Sequence, residues 1–252
     1  MAALEYFQYP YMSDNYGVLI HVPTTGETAS VDCGDAEATI NALKQKNWQL
    51  THIFATHHHA DHVAGLEQLK KQFNCHVTGP AGIPGVDKPV ADAETFTFGG
   101  TEIRTIHTPG HTKDMINYYL PTEKTVFTGD TLFTLGCGRL FEGDASMMWE
   151  SLNKLMKLPA DTTVYSSHEY TEANAAFAVT VDPQNTALSE RVKHIKKLRA
   201  NGEPTVPSTM TEELATNPFL RASDSAIRQH LNMAEATDEE VFAEIRIRKD
   251  NF

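Results

Sequence analysis

Five side chains that can bind a metal ion, four histidines and one aspartate, lie within six residues, in the segment Thr56-His57-His58-His59-Ala60-Asp61-His62. Side chains two apart in an extended segment project to the same side, so His57 and His59 can converge while His58 points away. Asp61 and His62 follow at the turn into the next element and can face a second position. Imidazole and carboxylate groups suit zinc, iron or manganese. The segment therefore predicts part of a metal site.

Three further stretches place residues of the same kinds at the ends of predicted strands. They contain His111, Asp130 and His168. Taken alone, each has an ordinary explanation as a turn residue, a solvated carboxylate or the start of a helix. Open sheets of α/β proteins, however, carry their sites at strand ends. The four stretches together therefore predict one site with ligands from several strands.

The pattern of residues around these ligands predicts the elements that position them. Runs rich in β-branched and aromatic residues predict strands, and apolar residues at helical spacing predict helices. The predicted strands are residues 16–22, 29–32, 52–55, 102–106, 116–120, 125–128 and 163–166. The predicted helices are residues 36–48, 63–73, 146–158, 172–179, 186–200, 223–231 and 238–247. Strands mixed with helices, followed by helices alone, predict a larger domain and a small helical one.

Composition and charge narrow the class of protein. The 252 residues are 40% hydrophobic and 21% charged, as in ordinary globular proteins. The formal net charge of -12 disfavours a nucleic-acid partner held by a basic field. We find neither a signal-like start nor the run of about 18 apolar residues that a membrane span needs. Three separated cysteines disfavour a disulfide framework. We expect a cytoplasmic protein.

With these ligands in place, the sequence resembles the metallo-β-lactamase superfamily. Within it, the chain is most similar to the glyoxalase II, or hydroxyacylglutathione hydrolase, family. The motifs that narrow the resemblance are Gly129-Asp130-Thr131-Leu132-Phe133, Gly136-Cys137-Gly138-Arg139, Phe141-Glu142-Gly143, His168-Glu169-Tyr170-Thr171, Asn217-Pro218-Phe219-Leu220-Arg221 and the ending from Arg246 to Lys249-Asp250.

The resemblance implies a fold and a set of metal ligands. The fold is α+β, a metallo-β-lactamase-like αββα sandwich with a small C-terminal all-helical domain. The catalytic domain would span residues 1–169, and a helical glutathione-binding domain residues 170–252. One divalent metal ion is assigned to His57, His59 and His111, and a second to Asp61, His62 and His168. Asp130 would bridge the two, so Asp61 and Asp130 are the expected catalytic residues. Zinc is the expected metal, with iron or manganese as alternatives.

The implied activity is hydrolysis of S-2-hydroxyacylglutathione thioesters, such as S-D-lactoylglutathione, as in methylglyoxal detoxification. The products are glutathione and a 2-hydroxy acid such as D-lactate. A hydroxide bridging the metals, available near neutral pH, would attack the thioester carbonyl. The residues expected to contact glutathione are Arg139, Phe141, Tyr170, Arg246 and Lys249. We expect a monomer with this small-molecule substrate and no macromolecular partner.

Some residues depart from the family pattern, and other classes of protein remain open. Lys113-Asp114 stands where the family often has Gly-His, and Phe141 cannot offer a tyrosine hydroxyl. A persulfide dioxygenase of the same superfamily would use a single iron, and a nuclease would cleave nucleic acid. A non-catalytic metal-binding or glutathione-sensing protein would hold the same ligands without hydrolysis. Cys137 is an alternative nucleophile, and the basic residues between Arg191 and Arg199 predict a solvated helix face.

Overall fold

A computed structural model describes residues 4–252 of the chain. Its elements group into two compact units that alternate along the sequence. The first comprises the described residues up to His107 together with Asp114–Gly129. The second comprises Thr108–Lys113 together with Asp130–Phe252. Each unit contributes residues that the sequence singles out as ligands.

The first unit contains a six-stranded sheet in the order β1-β2-β3-β4-β5-β6. Its strands are β1 (Glu5–Tyr11), β2 (Asn15–His21), β3 (Thr28–Val31), β4 (His52–Phe54), β5 (His76–Gly79) and β6 (Lys88–Pro89). The first three strands pair antiparallel, whereas β3 to β6 run parallel. Val31 pairs with Phe54 at the ends of β3 and β4. The residues that follow these two strands therefore start side by side.

Three helices of the first unit cover this sheet: α1 (Ala36–Lys46), α2 (Ala60–Val63) and α3 (Leu66–Phe73). Asp35 caps α1 by accepting a hydrogen bond from the backbone nitrogen of Ala38 at 3.0 Å. Leu43 of α1 and Leu69 of α3 are buried in one cluster with Ile53 of β4. This packing fixes both ends of the loop that carries the histidine motif.

Four more strands of the first unit form an antiparallel set. They are β7 (Thr95–Phe98), β8 (Thr101–His107), β9 (Ile116–Leu120) and β10 (Thr125–Gly129). All five residues of β9 and of β10 are buried. Asp130 follows β10 directly, so the end of a buried strand positions this carboxylate.

The second unit contains two short strand pairs and most of the helices. β11 (Leu132–Phe133) pairs with β12 (Gly136–Cys137), and β13 (Thr163–Ser166) pairs with β14 (Ser208–Thr209). The helices are α4 (Ala145–Leu155), α5 (Thr171–Val181), α6 (Thr186–Ala200), α7 (Met210–Thr216), a 3-10 helix at Pro218–Leu220, α8 (Ser225–Leu231) and α9 (Asp238–Asp250). Among the described residues, no helix has the length and apolar character needed to cross a membrane.

Most predicted elements are confirmed, and the exceptions have local reasons. Strands β9 and β13 and helix α6 have the predicted bounds. The helix predicted at residues 63–73 is two helices, because the chain breaks at Gly65 between them. The sequence does not predict β1, an edge strand that tolerates Pro10. It also does not predict the strands β5, β6, β7, β11, β12 and β14 or the helix α7. The segment after residue 170 is helical apart from β14.

Candidate metal centre and substrate site

The strand-end histidines of the first unit converge as their alternation predicts. His57 is fully buried, and its Nε2 lies 3.1 Å from Nδ1 of His59. His58 points to the surface, where its Nδ1 lies 3.0 Å from a carboxylate oxygen of Asp114. Asp114, where the sequence departs from the family pattern, therefore pairs with His58, the histidine of the motif that is not an expected ligand.

Asp61 and His62 lie on the short helix α2 and form a second pair. Nε2 of His62 lies 3.3 Å from Oδ2 of Asp61, and His62 is fully buried. Asn15 donates a hydrogen bond of 3.0 Å to the same Asp61 oxygen. The hydroxyl of Tyr11 donates to the backbone carbonyl of Asp61 at 2.8 Å. Two residues of the antiparallel strands thus fix the carboxylate and its backbone.

Asp32, which was not predicted as a site residue, orients two of these histidines. Its Oδ2 lies 2.8 Å from Nδ1 of His62 and accepts a hydrogen bond of 2.9 Å from the Thr56 hydroxyl. The Thr56 oxygen also lies 3.0 Å from Nδ1 of His57. Because the Thr56 proton already goes to Asp32, this oxygen accepts from His57. Both imidazoles therefore carry their proton on Nδ1 and present Nε2 as a lone pair.

A signal for Asp32 was present in the sequence. It is the first residue after β3, and β3 is the parallel neighbour of the strand that precedes the histidine motif. A carboxylate at the end of a neighbouring parallel strand lies at the same sheet edge. The sequence alone did not show that β3 and β4 are neighbours.

The second unit supplies three further ligand-type residues in one buried group. Oδ2 of Asp130 lies 3.3 Å from Nε2 of His111, and Oδ1 lies 3.4 Å from Nε2 of His168. Each oxygen of the carboxylate thus faces a different imidazole, an arrangement suited to bridging two ions. Nδ1 of His111 donates to the backbone carbonyl of Arg139 at 2.9 Å. His111 therefore also presents Nε2 as a lone pair.

The donor set fits a divalent transition metal. Tetrahedral ligands about 2.0–2.2 Å from zinc lie about 3.3–3.6 Å from one another. The four ligand-atom separations above, 3.1, 3.3, 3.3 and 3.4 Å, are close to that spacing.

Three of the predicted substrate contacts border the ligands of the second unit. The Tyr170 ring stacks on His168 with ring centres 4.6 Å apart. Phe141 is 64% exposed, and its ring lies 5.2 Å from that of His111. Arg139 is exposed and lies two positions before Phe141. Two aromatic surfaces therefore lie beside imidazoles of the candidate metal centre, and the backbone carbonyl of Arg139 contacts one of these imidazoles.

Arg246 and Lys249, on α9, have different surroundings. Arg246 is buried, and all three of its guanidinium nitrogens donate hydrogen bonds, to Asp250 and to the carbonyl of Cys137. Lys249 is partly exposed and donates to the carbonyl of Ala173 at 3.1 Å. Burial, followed by the positive charges of Arg246 and Arg139, lowers the pKa of Lys249. A contact between either residue and the substrate stays a prediction.

Cys137 has the properties of a structural thiol. It is buried, and burial raises its pKa to about 11 despite the opposing effect of Arg246. Gly138 follows it, and a Cβ there would lie 2.0 Å from the carbonyl oxygen of Asp130. The Gly-Cys-Gly-Arg motif therefore allows the loop to pass close to the backbone of a candidate metal ligand.

Two family models together match nearly the whole chain. The model described as "Metallo-beta-lactamase superfamily" matches residues 15–168. The model described as "Hydroxyacylglutathione hydrolase C-terminus" matches residues 169–252. The first covers the histidine motif, and the second covers the C-terminal helices.

Individual proteins agree with these matches. The hydroxyacylglutathione hydrolase of Brucella anthropi is 54% identical over 253 residues, covering 99% of this chain and 97% of the relative. That of Brucella ovis is also 54% identical, covering 99% of this chain and 98% of the relative. The crystal structure of ETHE1 from Myxococcus xanthus is similar with a TM-score of 0.70 and 25% identity, over 96% of this chain and 90% of that one. The chain therefore has the mixed α+β metallo-β-lactamase fold and belongs to the hydroxyacylglutathione hydrolase family.

Proposed function

We propose that this chain hydrolyses S-2-hydroxyacylglutathione thioesters, such as S-D-lactoylglutathione, to glutathione and a 2-hydroxy acid. The observation that carries the proposal is the 54% identity to hydroxyacylglutathione hydrolases across 99% of the chain. The physiological role in this proposal is removal of methylglyoxal-derived thioesters, with D-lactate as the acid released.

Two divalent metal ions, with zinc as the first choice, complete the proposed centre. One would be held by His57, His59 and His111, and the other by Asp61, His62 and His168. Asp130 would be a ligand to both. The ligand-atom separations of 3.1–3.4 Å and the Nε2 lone pairs of His57, His62 and His111 support this assignment.

The protein's own groups have defined roles in this reaction. Bound divalent metals supply a water of lowered pKa as nucleophile and a Lewis acid for the thioester carbonyl. Asp61 and Asp130 are the proposed catalytic carboxylates, because they would hold the ions that act on the thioester. Asp32 and Thr56 keep the imidazoles of His62 and His57 in the tautomer that binds metal. The thiolate of glutathione is a good leaving group, so it needs little acid assistance from the protein.

Glutathione is anionic, and the proposed contacts are matched to it. Arg139 and Lys249 supply positive charge, while Tyr170 and Phe141 supply aromatic surface beside His168 and His111. Arg246 is also proposed as a glutathione contact, and it donates to the carbonyl of Cys137, which precedes the loop glycine next to Arg139.

The remaining proposals concern organisation and location. We assign residues 1–169 to the catalytic domain and residues 170–252 to the glutathione-binding domain. The three free, buried cysteines favour a reducing compartment, so we place the chain in the cytoplasm. We also propose that it acts as a monomer.

The test is a hydrolysis assay on S-D-lactoylglutathione, with metal content determined on the same sample. The expected result is thioester hydrolysis by protein that holds two metal ions, with no cleavage of β-lactams or nucleic acid. Fully metal-loaded protein that leaves the thioester intact would overturn the proposal. A single iron together with oxygen consumption would instead identify a persulfide dioxygenase.

A further inference from the structure

We propose that Glu213 and Asn217 are positioning residues for the metal centre. They act through the β11–β12 hairpin, residues Leu132–Cys137, whose two ends lead to Asp130 and Arg139. The inference rests on the proposed metal centre, but it does not depend on which substrate the enzyme uses.

The hairpin connects two groups of the site. Asp130, with one carboxylate oxygen facing His111 and the other His168, lies two residues before the hairpin. Arg139, whose carbonyl accepts the Nδ1 proton of His111, lies two residues after it. A shift of the hairpin would therefore move the bridging carboxylate and the orientation of one imidazole together.

Asn217 holds both strands of the hairpin from the C-terminal segment. Its side-chain nitrogen donates to the carbonyls of Phe133 in β11, at 3.2 Å, and Gly136 in β12, at 3.0 Å. Its side-chain oxygen accepts from the nitrogen of Phe219 and so begins the 3-10 helix. Asn217 is fully buried, so neither carbonyl can exchange this donor for bulk water.

Glu213 holds the turn of the same hairpin. Its Oε2 accepts from the backbone nitrogen of Leu135 at 2.9 Å and from Asn217 at 3.0 Å. Leu135 has φ = 58°, a left-handed conformation that a branched residue rarely adopts. The Leu135 side chain is fully buried in one cluster with Ala175 and Leu188. The turn is therefore maintained by the helices that it contacts.

A buried ion pair fixes Glu213 itself. Oε1 lies 2.5 Å from Nη2 of Arg191, and Glu213 is completely buried. The prediction of a solvated helix face is thus wrong for Arg191, which α6 directs inward to this carboxylate. A buried carboxylate in this position needs its partner, because an unpaired buried charge is strongly destabilising. The pair therefore fixes the acceptor that Leu135 and Asn217 require.

The primary test is the substitution Asn217→Asp. Aspartate keeps the oxygen that accepts from Phe219, but it loses the donor to both hairpin carbonyls and brings a second carboxylate beside Glu213. Metal affinity is measured by competition with a chromophoric chelator, and the geometry of the centre by the visible spectrum of the cobalt-loaded protein. We expect metal affinity to fall by about ten- to hundredfold, the usual effect of losing support to a ligand, and the cobalt spectrum to change.

Asn185→Asp is the matched control. Asn185 also begins a helix with its side-chain oxygen, and its nitrogen also donates to a carboxylate, Asp182, and to a carbonyl, that of Ala215. Asn185→Asp makes the same chemical change at a residue whose side-chain hydrogen bonds go to Asp182, Ala215 and Leu188 and not to the hairpin. We expect a comparable loss of thermal stability, with metal affinity and the cobalt spectrum unchanged.

Folded Asn217→Asp protein with wild-type metal affinity and cobalt spectrum would overturn the proposal, as would an equal metal defect in the control. If Asn217→Asp does not fold, Glu213→Gln is measured in its place. In either orientation of the glutamine amide, its NH2 group faces another donor, which is Arg191 or the backbone nitrogen of Leu135. A weakened metal centre in that variant supports the proposal, and an unchanged one overturns it. Both readouts are made without substrate, so failure of the proposed thioesterase activity would be seen separately.

Discussion

The imidazole of His62 is fixed by Asp32, whose Oδ2 lies 2.8 Å from Nδ1 inside the protein. The same oxygen receives the Thr56 hydroxyl, which in turn accepts from His57. One carboxylate therefore sets the tautomer of two expected ligands, one for each metal ion.

Replacing Asp32 by Asn tests this relationship. The amide nitrogen can donate to Nδ1 of His62 and so move the imidazole proton to Nε2, where it would block metal binding. We expect metal affinity to fall by about ten- to hundredfold, measured by chelator competition. Asp35→Asn is the control, since asparagine also caps a helix well. Equal metal affinity in the two variants would contradict the assigned role of Asp32.

Lys249→Ala tests the cation proposed to bind glutathione. Losing one charged contact should raise KM for S-D-lactoylglutathione about five- to tenfold with little change in kcat. Lys193→Ala removes the same charge from an exposed position on α6 and should leave KM unchanged. A KM in Lys249→Ala equal to that of the control would remove Lys249 from the substrate site.

The pH dependence of KM offers a separate test of the same residue. Burial and neighbouring cations lower the pKa of Lys249. As the pH rises, Lys249 therefore loses its charge before the pH reaches the ordinary lysine pKa of about 10.4. KM should therefore increase on the alkaline side, before free lysines titrate. Lys249→Arg keeps its charge and should abolish that increase. An identical alkaline rise in the arginine variant would assign the effect to another group.

Cys137→Ala should leave kcat nearly unchanged. Burial raises the pKa of this thiol to about 11, so the nucleophilic thiolate is scarce at neutral pH. The first measurement is kcat of the metal-loaded variant. The second is the rate at which iodoacetamide inactivates the wild-type protein, which should be slow. A loss of about a hundredfold in kcat with both metals bound would indicate covalent catalysis instead.

Local sequence signals were enough to predict candidate ligands and many of the elements. His57, His59, Asp61 and His62 share one short segment, so residue type and side-chain alternation could be combined without a fold. The family assignment from the later motifs is confirmed by the 54% identical relatives. The assignment of each residue to a metal or to the substrate stays a prediction.

Contacts between distant residues were beyond the sequence. Asp32 meets His62 across 30 positions, and Glu213 meets Leu135 across 78, through strand and helix packing that no local pattern encodes. Arg246 is a charged residue in the last turns of α9, where charge alone predicts exposure, yet it lies on the buried face, where Asp250 and the Cys137 carbonyl accept its hydrogen bonds. Charge and periodicity predict which residues share a face of a helix, whereas the burial of that face depends on what packs against it.

Metal titration of the chelator-treated protein tests the central claim most directly. Zinc is added in steps, and hydrolysis of S-D-lactoylglutathione is measured at each step. Two ions should be bound by the seven assigned ligands, so activity should be absent without metal and should reach its plateau at two equivalents per chain. Full activity in the metal-free protein, or a plateau at one equivalent, would contradict a binuclear hydrolytic centre.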